Sequence, residues 1–362
     1  MRILIDIDHP AHVHYFKNLY SELIQHKHIV YVTCKSVKSI TALLIHYKIP
    51  FIELGDKGDG ITEKIFKHVK HVKKVANLIR NKDITLAIGV SFIAVHSSKI
   101  TNCESVFFDD DDQAVQPFTE KYVTPFADCI LSPDVLKYEK LKNVIYYPGT
   151  HELAYLHPKR FTPNIEVLTK YGLSIDDKYY ILRFNAFKAH HDIHEGGMNL
   201  NQKRKLIKLL EQYGKVFITT EKEIDPEFER YRIPIEPYEM HSFLAYSQMF
   251  VSDSQTMSSE AAVLGVPSFR CNTFAGRISL LEEEEKRYGL TYGFLPRQFD
   301  WMLEAIEIVL KDPDSKAKWS IKRNRMLEDK IDVTAFWVWF IENYPESVKE
   351  VKVKDFDFGR FK

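Results

Sequence analysis

The sequence predicts an α/β protein built from two doubly wound domains, and three observations lead to this prediction. Short apolar strands alternate with amphipathic helices along most of the chain, and one irregular segment near the middle interrupts them. The strands are almost wholly apolar, as expected where helices cover both faces of a parallel sheet. A length of 362 residues also exceeds what one hydrophobic core usually serves.

The first series of elements begins at the N-terminus. The run RILIDI predicts a strand, YFKNLYSELIQH a helix and HIVYVTCK a second strand. This order predicts a right-handed crossover between parallel neighbours. The series continues with a helix at about 39–46, the strand FIEL, a lysine-rich helix at about 62–80, and the strands LAIGV, SVFFDD and CILSP.

A second series follows the irregular segment YYPGTHELAYLHPKRFTP. It comprises the strand YYILRF, the helix NLNQKRKLIKLLEQYG, the strands KVFITTE and IPIEP, the helix MHSFLAYS, the strand MFVSD, a further helix and the strand PSFRC. The chain is helical from FDWMLEAIEIVLKD onward. We therefore predict an N-terminal domain at 1–155, a C-terminal domain at 156–330, and a helix with a charged tail at 331–362.

Composition excludes several classes of protein. Fifty basic and fifty acidic residues give a formal net charge of zero, so we expect no nucleic-acid partner. Four scattered cysteines without C-x-x-C spacing argue against a zinc ribbon and a disulfide framework. No stretch of 18 apolar residues is present, and we expect a cytoplasmic protein that does not span a membrane.

The stretch SQTMSSEAAVLGVP follows the strand MFVSD and carries the first candidate site. Backbone N–H groups at the helix start, with the hydroxyls of Ser254, Thr256 and Ser258, can hold phosphate oxygens. Glu260, one turn later, can accept hydrogen bonds from two sugar hydroxyls. Alternatively, Ser254 and Thr256 cap the helix and Glu260 interacts with its dipole. Spacing alone leaves both interpretations open.

A resemblance favours the ligand site. The segment MFVSDSQTMSSEAAVLGVPSFR resembles the nucleotide-sugar segment of GT-B glycosyltransferases and their relatives. These include the N-acetylglucosaminyltransferase of peptidoglycan synthesis and the non-hydrolysing UDP-N-acetylglucosamine 2-epimerases. HPAHVHYFKNL, YPGTHELAYLHPKRFTP and RISLLEEEEKRYGL look like one little-characterised bacterial and archaeal family of GT-B-like proteins. The resemblance implies two Rossmann-type domains facing a central cleft, with the C-terminal helix crossing back.

The same resemblance implies donor contacts for the turn and its helix. Ser254, Gln255, Thr256 and Met257 would approach the phosphates, and Glu260 the ribose hydroxyls. Gln255 stands where those families commonly have Gly, and its side chain narrows the room for a diphosphate. The backbone N–H groups remain.

Two further loops complete the predicted donor site. In RFNAFKAHHDIHEGG, Arg183 and Lys188 can offset the diphosphate charge without a metal. A metal site formed by the histidines and the glutamate at 190–195 is the alternative to a mobile donor-closing loop. Tyr238 and Met240 stand where the family positions uracil.

Candidate catalytic groups lie in the first half. His12 follows the first strand and matches a His of related glycosyltransferases, where it would activate the acceptor hydroxyl. A metal site at His9, His12 and His14 is the alternative. The run at 109–112 ends another strand, and a Glu acts on the sugar at that place in the epimerases. The resemblance to the epimerases thus implies that Asp111 or Asp112 acts as a base or binds sugar hydroxyls.

These inferences together predict a metal-independent glycosyltransferase that needs no cofactor besides its donor substrate. We expect a nucleotide-sugar donor, a UDP-sugar in particular, and a glycan or lipid-linked acceptor in surface polysaccharide or glycolipid synthesis. Peripheral contact with the inner face of the membrane accompanies that expectation. The alternatives are a UDP-N-acetylglucosamine 2-epimerase-like enzyme and an inert nucleotide-sugar binding protein.

Overall fold

The computed structural model describes residues 1–56, 58, 60–110, 112, 117–136, 141, 143–184, 196–220 and 224–362. Asp111, Lys188 and the proposed metal ligands at 190–195 lie outside the described residues. The chain divides into two compact units, Met1–Arg160 with Lys330–Lys362, and Phe161–Asp329. Each unit contains one parallel sheet, which confirms the predicted α/β class with two Rossmann-type sheets. The cleft between the domains stays a prediction.

The first unit contains a seven-stranded sheet in the order β3-β2-β1-β4-β5-β6-β7, with every neighbouring pair parallel. Strand order reverses between β1 and β4, which is where open sheets of this kind bind ligands, at the carboxyl ends of the strands. The strands are β1 Arg2–Ile7, β2 Ile29–Cys34, β3 Ile52–Glu53, β4 Leu86–Gly89, β5 Glu104–Phe108, β6 Cys129–Pro133 and β7 Val144–Tyr147. The helices are α1 Pro10–Gln25, α2 Lys38–His46, α3 Ile61–Lys82, α4 Phe92–Lys99, α5 Pro117–Tyr122 and α6 Leu153–Leu156.

The second unit contains a five-stranded parallel sheet in the order β12-β11-β10-β8-β9. Its order reverses between β8 and β10, so the carboxyl ends of those two strands are the expected ligand position. The strands are β8 Tyr179–Arg183, β9 Lys215–Thr219, β10 Met249–Ser252, β11 Ser268–Cys271 and β12 Thr291–Phe294. The helices are α7 Glu166–Lys170, α8 Leu200–Leu210, α9 Met240–Tyr246, α10 Thr256–Leu264, α11 Ser279–Lys286, α12 Phe299–Lys311 and α13 Ser315–Asp329.

Both faces of the second sheet are covered by helices. Ile181 and Phe250 belong to one buried apolar cluster, whereas the next residue of each strand, Leu182 and Val251, belongs to the cluster on the other face. Successive side chains of a strand point to opposite faces, so near-continuous apolar strands are what two buried faces require. Among the described residues, no helix is both long and apolar enough to cross a bilayer.

The C-terminal segment belongs to the first unit, as the resemblance implied. It forms α14 Val333–Glu342 and α15 Glu346–Val351, and α14 packs against α1 and α6. Asp332 caps α14 and accepts hydrogen bonds from Arg160 Nε at 2.9 and 2.8 Å. The fully buried Trp337 packs against the rings of Phe16 and Phe108, with centroids 6.0 and 4.7 Å apart.

The prediction of a strand at IPIEP is wrong. The segment forms no strand, and an isolated bridge joins Ile218 to Arg232 just before it. Pro234 and Pro237 supply no N–H group to a ladder, which explains the difference. Strands β7 and β12 were not predicted, because VIYY merges into an irregular run and TYGF contains Gly293. A Cβ at Gly293 would lie 2.8 Å from Arg270 Nη2, so that glycine makes room for a buried arginine.

Candidate functional site

The turn between β10 and α10 is held from its inner side by hydrogen bonds. Ser252 Oγ accepts from the backbone N–H of Ser254 at 3.1 Å, and Ser258 Oγ donates to Ser254 O at 2.8 Å. The Asn272 amide donates to Asp253 O at 3.0 Å. The hydroxyl of Ser258 therefore shapes the turn, whereas the half-buried side chains of Ser254, Gln255 and Thr256 form its outer part.

Helix α10 runs into the core from this turn. The side chain of Met257 is buried in the cluster that contains Phe243 and Phe250, so only its backbone can contribute to a phosphate site. Gly265 ends the helix with φ of 77°, in the left-handed region that favours glycine. This explains the Gly-x-Pro pattern in the sequence.

Glu260 lies in α10 opposite a histidine of α9. His241 Nε2 is 3.0 Å from Glu260 Oε1, and both residues are buried. Met240 precedes His241 at the start of α9, and the half-buried Tyr238 lies two residues before that. Tyr238 and Met240, the predicted uracil contacts, thus precede the histidine that contacts Glu260, the predicted ribose ligand. The predicted helix MHSFLAYS contains His241 at its start, but nothing in the sequence indicated Glu260 as its partner.

A positively charged group borders the turn on the side of β8. Arg183 is the last residue of β8 and pairs in register with Ser252, and its backbone oxygen accepts from Asp253 N at 3.3 Å. Lys203 of α8 places its Nζ 4.7 Å from the centre of the Phe184 ring and interacts electrostatically with Asp253. Burial lowers the pKa of Lys203, and Asp253 opposes that shift. Sequence reasoning missed Lys203, because nothing in NQKRK distinguishes it from the exposed lysines beside it.

The first unit contains a second polar site at the end of β1. His12 Nδ1 lies 3.1 Å from Asp8 Oδ1, and Lys35 Nζ donates to Asp8 Oδ2 at 2.8 Å. Burial raises the pKa of Asp8, but the neighbouring His12 and the charge of Lys35 outweigh it and hold the pKa well below its usual range. Asp8 is therefore a carboxylate whose charge lies beside His12 Nδ1, although the angle at Nδ1 does not make a regular hydrogen bond.

Asp6 lies two residues before Asp8, in strand β1, which has β2 and β4 on its two sides. It is fully buried and accepts hydrogen bonds from Thr33 Oγ1 at 2.5 Å and from Ser91 Oγ. Burial raises its pKa to about 6, although both hydrogen bonds lower it. Neither Asp6 nor Asp8 was among the predicted site residues. The D-x-x-x-H spacing, which places Asp8 and His12 on neighbouring positions at the start of a helix, could have indicated the second of them.

The three histidines of HPAHVH make different contacts. His9 caps α1 by accepting from Ala11 N at 3.3 Å, and His12 faces Asp8. His14 packs its ring against Tyr155 at 5.5 Å, with Tyr47 Oη 3.5 Å from its Nδ1. Within the described residues, no group of three His, Cys, Asp or Glu side chains is arranged to hold a metal ion.

Comparison with known proteins places the chain in a family. Residues 1–280 match the family described as "Protein of unknown function (DUF354)". The chain belongs to this family. An uncharacterised protein of Methanocaldococcus jannaschii is 25% identical over 288 residues, which are 74% of this chain and 81% of that protein.

Solved structures resemble this DUF354 chain at low sequence identity. The UDP-GlcNAc 2-epimerase of Neisseria meningitidis bound to UDP-GlcNAc is 11% identical, with a TM-score of 0.67 over 94% of this chain and 100% of its own. The UDP co-structure of MnaA from S. aureus is 14% identical, with a TM-score of 0.65 over 96% and 98%. The spinosyn forosaminyltransferase SpnP is 14% identical, with a TM-score of 0.64 over 97% and 100%. These likenesses confirm the GT-B-like fold of the two units.

The described aspartates at 109–112 of the DUF354 chain differ in their burial. Asp109 is buried at the end of β5 and accepts from Ser132 Oγ at 3.2 Å, so its carboxylate has a structural partner. Asp110 and Asp112 are half-buried. One strand, β4, separates β5 from β1, so the ends of β1 and β5 lie about 10 Å apart at one edge of the sheet. Asp109 and Asp110, which directly follow β5, thus share that edge with His12.

Proposed function

We propose that this DUF354 protein transfers a sugar from a UDP-sugar to a hydroxyl acceptor without a metal ion. The single observation that carries the proposal is the Asp8–His12 pair at the carboxyl end of β1, because an acceptor hydroxyl needs a positioned base. The resemblance to a forosaminyltransferase and to proteins solved with UDP or UDP-GlcNAc supports the choice of substrate.

The chemistry follows from the orientation of the imidazole. A proton on His12 Nδ1 is stabilised by the Asp8 carboxylate, which leaves Nε2 as the base. Nε2 takes the acceptor proton while the acceptor oxygen attacks the anomeric carbon. The bond from that carbon to the diphosphate oxygen breaks, and the electron pair leaves with UDP.

The second unit would stabilise the departing UDP. The backbone N–H groups of the turn after β10, with Arg183 and Lys203 beside it, face the position of the leaving diphosphate in this proposal. Glu260 and the residues near Tyr238 would hold the ribose and the uracil.

The test combines donor binding with turnover. A ligand that binds the folded state stabilises it by about 2.7 kcal/mol at 100 times its Kd, and by less when it binds more weakly. UDP and UDP-GlcNAc should therefore raise the melting temperature more than GDP-, dTDP- and CMP-sugars do. The Glu260→Gln variant keeps an oxygen for His241 but should bind UDP more weakly. Glu307→Gln, a half-exposed acid of α12, is its control. Equal binding of UDP by Glu260→Gln and the wild type would disprove the donor site.

The base is tested separately. His12→Asn should slow transfer by about 10²- to 10⁴-fold while UDP binding stays unchanged. Asp8→Asn should also slow transfer, through the loss of the oriented tautomer. Normal turnover in both variants contradicts the role assigned to the pair.

The epimerase-like alternative is supported by the likeness to the UDP-GlcNAc 2-epimerase of Neisseria meningitidis and by the carboxylates that follow β5. It needs no acceptor. Incubation with UDP-GlcNAc alone distinguishes the two functions, since formation of the 2-epimer in that mixture would overturn the transferase proposal.

A further inference from the structure

Helix α3 presents large apolar side chains to solvent. Ile65, Phe66 and Val69 are 61%, 71% and 47% exposed. Further along the helix, the buried Val75 and Ile79 pack in the core of the first unit. Among the residues that the structure describes, none buries the large apolar side chains near the start of α3.

The chain around α5 adds to this surface. Phe118, Tyr122 and Phe126 are 69%, 42% and 44% exposed, and the rings of Phe118 and Tyr122 stack with centroids 6.2 Å apart. Histidines connect the two elements: His68 Nε2 of α3 lies 2.8 Å from His96 Nδ1, and the His96 ring packs against Phe126. We refer to Ile65, Phe66, Val69, Phe118, Tyr122 and Phe126 as the apolar patch.

Lysines recur along α3, from beside the apolar patch to the end of the helix. Although the whole chain has no net charge, Glu63 is the one acidic residue in the sequence of α3. Helical spacing places Lys70 and Lys73 on the solvent side one and two turns beyond Phe66. The lysines of α3 are Lys64, Lys67, Lys70, Lys73, Lys74 and Lys82. An exposed apolar face with a cluster of positive charge is complementary to the surface of an anionic bilayer.

A cavity connects the apolar patch with the proposed catalytic pair. Its volume is about 530 Å³, and Ile65 and Phe118 of the patch line it together with Phe92, Lys35 and Asp8. Asp8 is the residue whose carboxylate lies beside His12 Nδ1. A molecule anchored in a bilayer under the patch could thus extend its head group toward the base.

We propose that α3 and α5 dock the protein on an anionic lipid surface through the apolar patch and the lysines of α3. The docking rests on these side chains alone. Its consequence, that the acceptor is a lipid-anchored molecule, rests on the proposed function. A charge-neutral bilayer would not attract the lysines. Dependence of binding on lipid charge therefore distinguishes an anionic bilayer from purely apolar adsorption.

The experiment measures binding of the full chain to vesicles of phosphatidylcholine, alone and mixed with phosphatidylglycerol. We expect binding to the mixed vesicles, weakened by high salt, and little binding to phosphatidylcholine alone. Lys70→Gln/Lys73→Gln should weaken binding about 30-fold, since each lysine near an anionic surface contributes about 1 kcal/mol. Phe66→Ser should weaken it about tenfold.

The second unit supplies matched controls. Lys205→Gln/Lys208→Gln removes two exposed lysines of α8, and Ile308→Ser removes a side chain that is 71% exposed, as Phe66 is. Both variants should bind vesicles as the wild type does. Docking is refuted if the lipid charge has no effect, if the α3 variants bind normally, or if the controls lose as much binding.

Vesicle binding and UDP binding are independent measurements. A protein that binds UDP but no anionic vesicle overturns the docking and leaves the proposed function standing. A protein that binds anionic vesicles through α3 but binds no UDP supports the docking and overturns the proposed function.

Discussion

At the scale of single residues, the two candidate sites depend on charged groups whose neighbours fix their state. Asp8 is held ionised by His12 and Lys35, so it can orient an imidazole. Lys203 lies over the ring of Phe184 and near Asp253, so its charge is next to the turn that would bind phosphate. In each case the chemistry comes from the pair and not from either residue alone.

Lys203 can be tested by removing its charge and keeping its length. Lys203→Met retains the contact with Phe184 but should lower the affinity for UDP about tenfold, because a hydrogen bond or ion pair to phosphate is lost. Binding of uridine, which has no phosphate, should not change. Isothermal titration measures both, with the exposed Lys205→Met on the same helix as control. Unchanged UDP affinity would remove Lys203 from the donor site.

At the scale of elements, the irregular segment after β7 contains a buried histidine with a lowered pKa. His151 is buried against the rings of Tyr15 and Trp337, with centroids 4.9 and 5.1 Å away. Burial, with a smaller contribution from the charge of His12, lowers the pKa of His151 to about 3. The GTHE sequence therefore contains a neutral histidine at physiological pH.

This histidine makes stability dependent on pH. Its folded pKa lies below the unfolded value of 6.5, so its contribution is complete above pH 6.5 and is lost as the pH falls toward 3. Between pH 6.5 and pH 5 the wild type should lose about 2 kcal/mol of unfolding free energy relative to His151→Asn. Denaturant titrations at the two pH values measure this difference. Parallel curves for the two proteins would contradict a buried neutral imidazole.

The elements show what sequence could and could not predict. The continuous apolar run RILIDI predicted β1 at its observed residues, because both faces of that strand are buried. The long helix α3 was located by its helical periodicity, because only one face of it is buried. The resemblance selected Glu260 and His12. The partner of Glu260, His241, lies on another helix, and that contact exists only after the chain folds. Asp8 is local to His12, and their spacing could have indicated it. Lys203 gave no signal, because charge alone does not show which lysine of a helix becomes buried.

At the scale of the whole molecule, the chain leaves the first unit after Arg160 and re-enters it at Lys330. The returning segment is part of the core of that unit, because the fully buried Trp337 lies against Phe16 of α1 and next to Phe108 of β5. Stability of the first unit consequently depends on residues more than 300 positions away from its first helix.

Trp337→Ala should destabilise the first unit by about 3–5 kcal/mol, as large-to-small changes of buried aromatic residues do. Hydrogen exchange should accelerate in β1 and β5 but not in β10. Trp301→Ala, in the second unit, removes a side chain that is 62% exposed and should change stability by less than about 0.5 kcal/mol. Equal protection of β1 in Trp337→Ala and the wild type would show that the returning helix is dispensable.

The pairing of Glu260 with His241 has a consequence for selectivity. A buried carboxylate without a partner would be costly, and the histidine removes that cost while the site is empty. A ribose that binds Glu260 must therefore compete with an existing contact, and the net gain is the difference between two hydrogen-bond arrangements. The ribose would therefore contribute little binding free energy at this site, and the phosphates would provide most of the affinity.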